Sequence, residues 1–110
     1  MATFEINNAT DGQYYFHLKS TADKRILLRS ELYTVKSSCR NGIESVKKNA
    51  TDDTKYKRLL SGNQQHYFNL KAANGEVIGT SKMYKTTSEM EADIALVKAE
   101  APSATVVDLS

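Results

Sequence analysis

The most constraining feature of this chain is an internal repeat that spans almost its whole length. The segment Tyr15-Phe16-His17-Leu18-Lys19 recurs as Tyr67-Phe68-Asn69-Leu70-Lys71, 52 positions later. Beyond that segment the offset falls to 51, because the turn from Ser20 to Arg25 is one residue longer than the turn from Ala72 to Glu76. Eleven of the 35 positions from 67 to 101 match their counterparts, whereas typical composition gives about two by chance. The chain is therefore two copies of one structural unit.

Each copy begins with patterns typical of β-strands. Apolar and polar residues alternate from Tyr14 to Lys19 and from His66 to Lys71, a period of two that predicts half-buried strands. Asn74-Gly75 predicts a type I′ hairpin turn in the second copy. The remaining strand candidates are Phe4–Ile6 and Ile26–Glu31 in the first copy, and Tyr56–Leu60 and Val77–Ser81 in the second.

After the third strand of each copy the apolar period changes to about 3.6 residues. Each copy has a trio spaced i, i+4, i+7, namely Cys39, Ile43 and Val46 in the first and Met90, Ile94 and Val97 in the second. Such a trio lies on one helix face, so we expect helices from about Lys36 to Asn49 and from about Thr87 to Ala101. Thr86 and Glu89 fit a capping box at the start of the second helix.

A unit of three strands and one helix buries only a marginal core by itself. We therefore expect the two units to pack about a pseudo-twofold axis as one integrated domain over residues 1–110, with repeats at about 1–50 and 53–104. The predicted fold class is α+β, with an antiparallel sheet of six main strands packed with two helices. Within the tail 105–110, the segment from Thr105 to Asp108 is a candidate short edge strand. We expect a monomer, because the second copy supplies what a partner subunit would.

Composition and charge favour an ordinary soluble domain. The 15 basic and 13 acidic residues leave a net charge of +2, so charge alone does not indicate a nucleic-acid-binding protein. The single cysteine, Cys39, cannot form an intramolecular disulfide, which favours a reducing compartment. The longest apolar run is Ile26-Leu27-Leu28, far short of a membrane span. These observations predict a cytoplasmic protein without a membrane partner.

The segment from Leu70 to Tyr84 closely resembles the signature of the YegP-like family of small bacterial tandem-repeat proteins of uncharacterised function. The segment from Cys39 to Ala50, with its Asn-Gly-Ile and Ser-Val-Lys pieces, looks like the helix of that family. This resemblance implies a tandem β3α fold whose single-repeat relatives pair as homodimers, but it implies no activity, cofactor or catalytic residue. The first copy departs from the family pattern at Thr21-Ala22-Asp23-Lys24-Arg25, where the second copy has Ala-Asn-Gly-Glu.

Residues suited to catalysis or metal binding are few and scattered. His17 and His66 are not repeated, and the strand pattern places them on opposite faces of the sheet, so they do not form a metal pair. Cys39 lies on an apolar helix stripe, where a buried thiol is favoured over a nucleophile. An acidic trio near the start of the second helix suits the helix dipole; it consists of Glu89, Glu91 and Asp93. We expect no enzyme activity, no cofactor and no metal site.

The candidate binding surface lies on the outward face of the two matching strands. Tyr15, Lys19, Tyr67 and Lys71 are identical in the two copies although the pattern predicts their exposure. Interleaved aromatic and lysine side chains can stack bases and contact phosphates of single-stranded nucleic acid. Alternatively, they form cross-strand pairs that stabilise the sheet. The favoured function is a non-enzymatic domain that binds or regulates a macromolecule, preferably a protein through this face or by strand addition, and nucleic-acid binding is the alternative.

Tyr33 and Tyr84 occupy the junction between strand and helix in the two copies, and Ser30 and Ser81 precede them. The repeated tyrosine is interpreted as a corner residue. We expect its ring to pack under the helix and its hydroxyl to bond to the backbone.

Overall fold

A computed structural model describes residues 2–20 and 23–110 of the chain. It contains β1 (Ala2–Asn8), β2 (Tyr14–Ser20), β3 (Ile26–Arg29), α1 (Lys36–Asn49), β4 (Tyr56–Leu60), β5 (His66–Lys71), β6 (Val77–Thr80), α2 (Thr87–Glu100) and β7 (Thr105–Asp108). Single turns of 3₁₀ helix at Asp53–Lys55 and Ala101–Ser103 follow the two helices. The bounds agree with the sequence predictions to within about two residues, and the candidate edge strand in the tail is confirmed as β7.

The strands form one sheet in the order β4-β5-β6-β3-β2-β1-β7. The two copies meet at the centre of this sheet, where β3 and β6 pair antiparallel through Arg29 and Thr80. Every neighbouring pair is antiparallel except β1 and β7, which run parallel. The predicted α+β fold with two helices and a sheet of six main strands is confirmed, and β7 adds a seventh strand at the edge of the first copy.

Alternation along the strands divides the sheet into a helix-covered face and an open face. Phe4, Phe16, Leu18, Phe68 and Leu70 point to the helix-covered face and have no exposed surface. The two predicted helix stripes pack against them in one continuous core. Burial of this apolar face is the main force that orders the sheet, and the alternate residues form the open face.

The prediction of a type I′ turn at Asn74-Gly75 is wrong. A type I′ turn needs positive φ at both central residues, but only Gly75 has it, at +87°. The Gly75 amide donates to the Ala72 carbonyl at 2.9 Å, and the Ala72 amide donates to the Glu76 carbonyl at 2.8 Å. This is a three-residue hairpin loop with a left-handed residue at its end. In the first copy, Thr21 and Ala22 of the equivalent turn lie outside the described residues, and Lys24 (φ +57°) takes the left-handed position of Gly75.

The predicted capping box at α2 is present in modified form. Thr86 is the N-cap residue, and its hydroxyl accepts a hydrogen bond from the Glu89 amide at 3.2 Å. The Glu89 carboxylate bonds to the Thr86 hydroxyl rather than to the Thr86 amide. Helix α1 begins after Val35 without a side-chain cap.

Candidate functional site

The four residues of the candidate binding surface lie on the open face in two separate patches. Tyr15 and Lys19 belong to β2, and Tyr67 and Lys71 belong to β5; all four side chains are half-buried. Strands β3 and β6 lie between β2 and β5. At about 4.8 Å per strand spacing, the two patches are about 14 Å apart. A ligand that contacts both patches has to cross the centre of the sheet.

In the first copy, the patch is engaged in contacts within the protein. The Lys19 Nζ lies 2.9 Å from the Glu5 Oε1, and the Tyr15 ring packs on the edge of His17 at 5.1 Å between centroids. The Arg29 Nε donates to the His17 Nε2 at 3.3 Å. Burial lowers the pKa of His17, and the positive charges of Arg29 and Lys19 lower it further against the opposing effect of Glu5. These are cross-strand contacts of the kind that stabilises a sheet.

In the second copy, the same positions carry different chemistry. Lys57 stands where the first copy has Glu5, and Asn69 stands where it has His17. Asn69 accepts a hydrogen bond from the Thr80 hydroxyl at 2.9 Å. Within the part of the chain that the structure describes, neither Lys57 nor Lys71 forms an ion pair. The open face is therefore charge-paired in one copy and basic in the other.

The repeated tyrosines pack as corner residues, but the expected hydroxyl–backbone bond is wrong for Tyr84. Its hydroxyl donates to the Asp93 Oδ2 at 2.6 Å, and the other oxygen of this buried carboxylate lies 2.8 Å from the Arg25 Nη1. In the first copy, Gly42 stands in place of Asp93, and a Cβ added to it would lie 2.5 Å from the Tyr33 hydroxyl oxygen. Burial raises the pKa of Tyr33 to about 12. The second copy therefore has a buried carboxylate beside its tyrosine hydroxyl. In the first copy, the tyrosine hydroxyl lies against a glycine that leaves room for it.

The repeated serines close the ends of β3 and β6 in the same way. The Phe16 amide donates to the Ser30 hydroxyl at 2.9 Å, and this hydroxyl donates to the Glu31 carbonyl at 2.8 Å. The Phe68 amide donates to the Ser81 hydroxyl at 2.9 Å, and this hydroxyl donates to the Lys82 carbonyl at 2.7 Å. Their identity in the two copies has a structural cause, since each satisfies buried backbone groups.

The other candidate residues for chemistry do not converge. His17 lies on the open face, whereas His66 lines a hollow beside α2, so the two lie on opposite faces as predicted. The acidic trio diverges: Glu89 bonds to Thr86, Glu91 bonds to Arg58 and Asp93 bonds to Tyr84. Residues 2–20 and 23–110 contain no group of three or more His, Cys, Asp or Glu side chains able to hold a metal ion.

Cys39 is fully buried in the stripe of α1, as predicted. Burial raises the pKa of its thiol from the ordinary 9.0 to about 11, against the opposing effect of the Arg40 charge. A thiol whose pKa is higher in the folded state stabilises the fold fully below pH 9 and loses that contribution as the pH rises to 11, because the unfolded chain ionises first.

We therefore expect the free energy of unfolding to fall between pH 9 and pH 11. The measurement is urea denaturation at several pH values, and Cys39→Ala should show a shallower fall than the wild type. Native Cys39 should also react with a thiol reagent at least about 100-fold more slowly than the unfolded chain. Rapid stoichiometric labelling of the folded protein would contradict this account.

The two edges of the sheet differ. At the first-copy edge, β7 covers β1, and the Leu109 amide donates to the Ile6 carbonyl at 2.8 Å. The Asp108 Oδ2 lies 3.0 Å from the Lys36 Nζ and 3.1 Å from the Arg40 Nη2, both on α1. The tail thus closes the edge and fills the space between β1 and the start of α1.

At the second-copy edge, no strand of the described chain covers β4. A hollow of about 280 Å³ lies between β4 and the start of α2, lined by Arg58, Leu59, Leu60, His66, Thr87, Met90 and Glu91. This β4 hollow is the counterpart of the space that Asp108 fills in the first copy, since Thr87 and Glu91 correspond to Lys36 and Arg40. Leu60 at its rim is 59% exposed. The sequence repeat could not indicate the β4 hollow. The hollow exists because β7 lies beside the first copy and no described strand lies beside β4 in the second.

The chain matches known proteins over nearly its whole length. A family model described as "Domain of unknown function (DUF1508)" matches it twice, over residues 9–56 and 61–108. A UPF0339 protein of Acinetobacter baylyi is 50% identical over 97% of this chain and 96% of its own length. The solution NMR structure of the Escherichia coli protein yegP, described as a protein of unknown function, has a TM-score of 0.92 at 42% identity and covers 98% of this chain and 92% of its own. A UPF0339 protein from Shewanella oneidensis also has a TM-score of 0.92, at 39% identity over 98% of this chain and 91% of its own.

Each of the two helices has 14 residues and packs one face into the core. Across the described residues, no helix combines the length and the apolar character that crossing a membrane requires.

Proposed function

The chain belongs to the UPF0339 family of tandem DUF1508 proteins, and from this premise we propose that it is a non-enzymatic cytoplasmic module that binds a protein partner by strand addition at β4. The resemblance to the YegP-like family is confirmed by this membership. The family is of unknown function, so the proposal rests on the geometry of this chain.

The observation that carries the proposal is the difference between the two sheet edges. The first-copy edge is closed by β7 in parallel pairing, whereas β4 at the other end lies at the edge of the described sheet. An edge strand leaves its outward N–H and C=O groups without partners in the sheet, and an extended peptide can bond to them. In the first copy, β7 pairs in parallel with β1, the counterpart of β4, and this pairing supports the proposal.

The side chains of β4 and its surroundings determine which residues a peptide paired with β4 should carry. A segment that pairs with β4 as β7 pairs with β1 places one side chain in the β4 hollow, where Leu59, Leu60 and Met90 supply apolar surface. The residue corresponding to Asp108 lies next to Arg58, which already bonds to Glu91 and Asp53, so an acidic residue there lacks the two cations that Lys36 and Arg40 supply to Asp108. On the open face, Lys57 favours an acidic neighbour. The chain's own tail is therefore a poor fit for this edge.

A second molecule of this protein is a poorer occupant of the β4 edge than a different protein. Antiparallel pairing between the β4 strands of two molecules brings Lys57 and Arg58 of one molecule close to those of the other. Directly opposed like charges destabilise a strand pair, and charged residues on edge strands commonly prevent self-association.

Site-specific photo-crosslinking at residue 60, performed in the native cell, tests the proposal. We expect covalent capture of one extended segment of another protein, with an apolar residue next to the crosslinker. The matched control is the same crosslinker at Leu32, because Leu32 is 52% exposed and lies outside β4. Capture of the same proteins from both positions, or of further copies of this chain alone from residue 60, would overturn the proposal.

Binding of single-stranded nucleic acid is a second candidate function. The observation that favours it is the basic second-copy half of the open face, which carries Tyr67, Lys57 and Lys71, with Lys57 paired to Asn69 between the other two. Base stacking on tyrosine and phosphate contacts to lysine are the interactions this surface offers. Fluorescence anisotropy with mixed-sequence RNA and DNA at low salt tests this candidate. Nucleic-acid binding requires a salt-sensitive signal, and the double variant Tyr15→Ala, Tyr67→Ala should weaken that signal.

A further inference from the structure

The centre of the sheet contains a concave surface that neither the proposed strand addition nor the candidate open-face patches use. Strands β3 and β6 pair through a single residue pair, and beside that pair lies a groove of about 610 Å³. We call it the basic groove; its lining residues are Lys24, Ile26, Arg29, Thr80, Ser81 and Lys82. Three of the six are cations and none is a carboxylate.

The arginine of the basic groove is held in place by its neighbours. The Arg29 Nε donates to the His17 Nε2 at 3.3 Å. Burial and the charge of Arg29 lower the pKa of His17, which favours the neutral ring that accepts this bond. The remaining guanidinium nitrogens of Arg29 have no hydrogen-bond partner within residues 2–20 and 23–110. An oriented guanidinium with free N–H groups is suited to bind an oxyanion through two bonds.

Lys24 and Lys82 line the basic groove together with Arg29. The Lys82 Nζ lies 5.5 Å from the centre of the Tyr84 ring, and Lys82 lines both the basic groove and the neighbouring hollow beside α2. Lys24 occupies a left-handed backbone position, at φ +57°, and this position costs a residue with a side chain about 1 kcal/mol more than it costs glycine. Neither lysine forms an ion pair among the described residues.

Pseudo-symmetry does not account for this concentration of charge. At the equivalent positions across the axis, Gly75 stands for Lys24, Thr80 for Arg29 and Glu31 for Lys82. Each cation of the basic groove is thus replaced by a neutral or acidic residue in the other copy. The replacement of Lys24 by Gly75 is the most informative, because the turn folds with glycine at lower cost and yet the first copy has lysine there.

From this geometry we propose that the basic groove binds a small organic phosphate. Three cations match a doubly charged phosphate group better than a single carboxylate. The Thr80 side chain and the apolar Ile26 offer contacts to the organic part of the ligand. The volume of the groove falls in the range of small-molecule sites.

NMR titration of the ¹⁵N-labelled chain with inorganic pyrophosphate tests the proposal, with sodium chloride at matched ionic strength as the reference. We expect saturable shifts confined to the amides of residues 24–29 and 80–82. Inorganic phosphate should bind more tightly at pH 8 than at pH 5.5, because its second ionisation lies between these values. Malonate should bind at least threefold more weakly than pyrophosphate.

Three variants distinguish a specific anion site from general attraction of anions to a basic surface. Lys82→Glu should weaken pyrophosphate binding at least tenfold, whereas Lys48→Glu, the same charge change on an exposed part of α1, should alter it less than twofold. Lys24→Gly should weaken binding about threefold or more while leaving the melting temperature unchanged or higher, because glycine is favoured at that φ. Equal losses for Lys82→Glu and Lys48→Glu, or shifts spread over all basic residues, would overturn the proposal.

Discussion

Replacing Asp93 by alanine should lower the free energy of unfolding by about 3 kcal/mol, because it removes the buried partner of two groups at once. Asp93 is 1% exposed. Its carboxylate accepts the Tyr84 hydroxyl at 2.6 Å and lies 2.8 Å from the Arg25 guanidinium. Arg25 belongs to the first copy and Asp93 to the second, so this ion pair also joins the two copies. Urea denaturation monitored by circular dichroism measures the effect.

Two further variants divide the effect of Asp93 between its partners. Asp93→Asn preserves an acceptor for the Tyr84 hydroxyl and loses the ion pair, so we expect about half the loss seen with alanine. Tyr84→Phe should cost about 1–2 kcal/mol, the range for a buried hydrogen bond whose acceptor is left behind. The control is Glu44→Ala on α1, which should change the free energy by less than about 0.5 kcal/mol. A loss below about 1 kcal/mol for Asp93→Ala would contradict the role assigned to this carboxylate.

The second large effect is expected at the paired core residues Phe16 and Phe68, which are fully buried in equivalent places. Phe16→Ala and Phe68→Ala should each cost about 3–5 kcal/mol. Because both side chains belong to one continuous core, either change should destabilise both copies equally. Native-state hydrogen exchange measures this at the most protected amides of each copy.

Independent folding of the two copies gives a different pattern. Phe16→Ala would then lower protection only in β1, β2, β3 and α1, and denaturation would show two transitions instead of one. Leu32→Ala serves as the surface control and should leave protection in both copies within about 0.5 kcal/mol of the wild type.

Most of the architecture could be predicted from the sequence because the same pattern occurs twice. The stripe of Cys39, Ile43 and Val46 and the alternation in β2 and β5 depend on burial of apolar side chains, which period and spacing express directly. The turn at Asn74 was mispredicted, since Asn-Gly fits a two-residue loop and a three-residue loop almost equally well, and the choice depends on the bulge in the following strand.

The candidate sites were harder to predict, because agreement between the copies directs attention to residues with structural roles. Ser30 and Ser81 are repeated because each bonds to the backbone at the end of a strand. The β4 hollow and the basic groove arise instead where the copies differ, as with Gly75 and Lys24. Parallel pairing of the tail with β1 is a long-range contact that local periodicity does not specify.

Amide hydrogen exchange of β4 gives a direct test of strand addition at this edge. The ligand is a synthetic peptide with the sequence of the segment captured at residue 60. In the chain alone, the outward amides of β4 should exchange quickly, whereas the β1 amides bonded to β7 should be protected. Saturating peptide should slow exchange of the outward β4 amides at least tenfold and leave β1 unchanged. Unaltered exchange in β4, or protection that appears elsewhere on the sheet, would contradict strand addition at this edge.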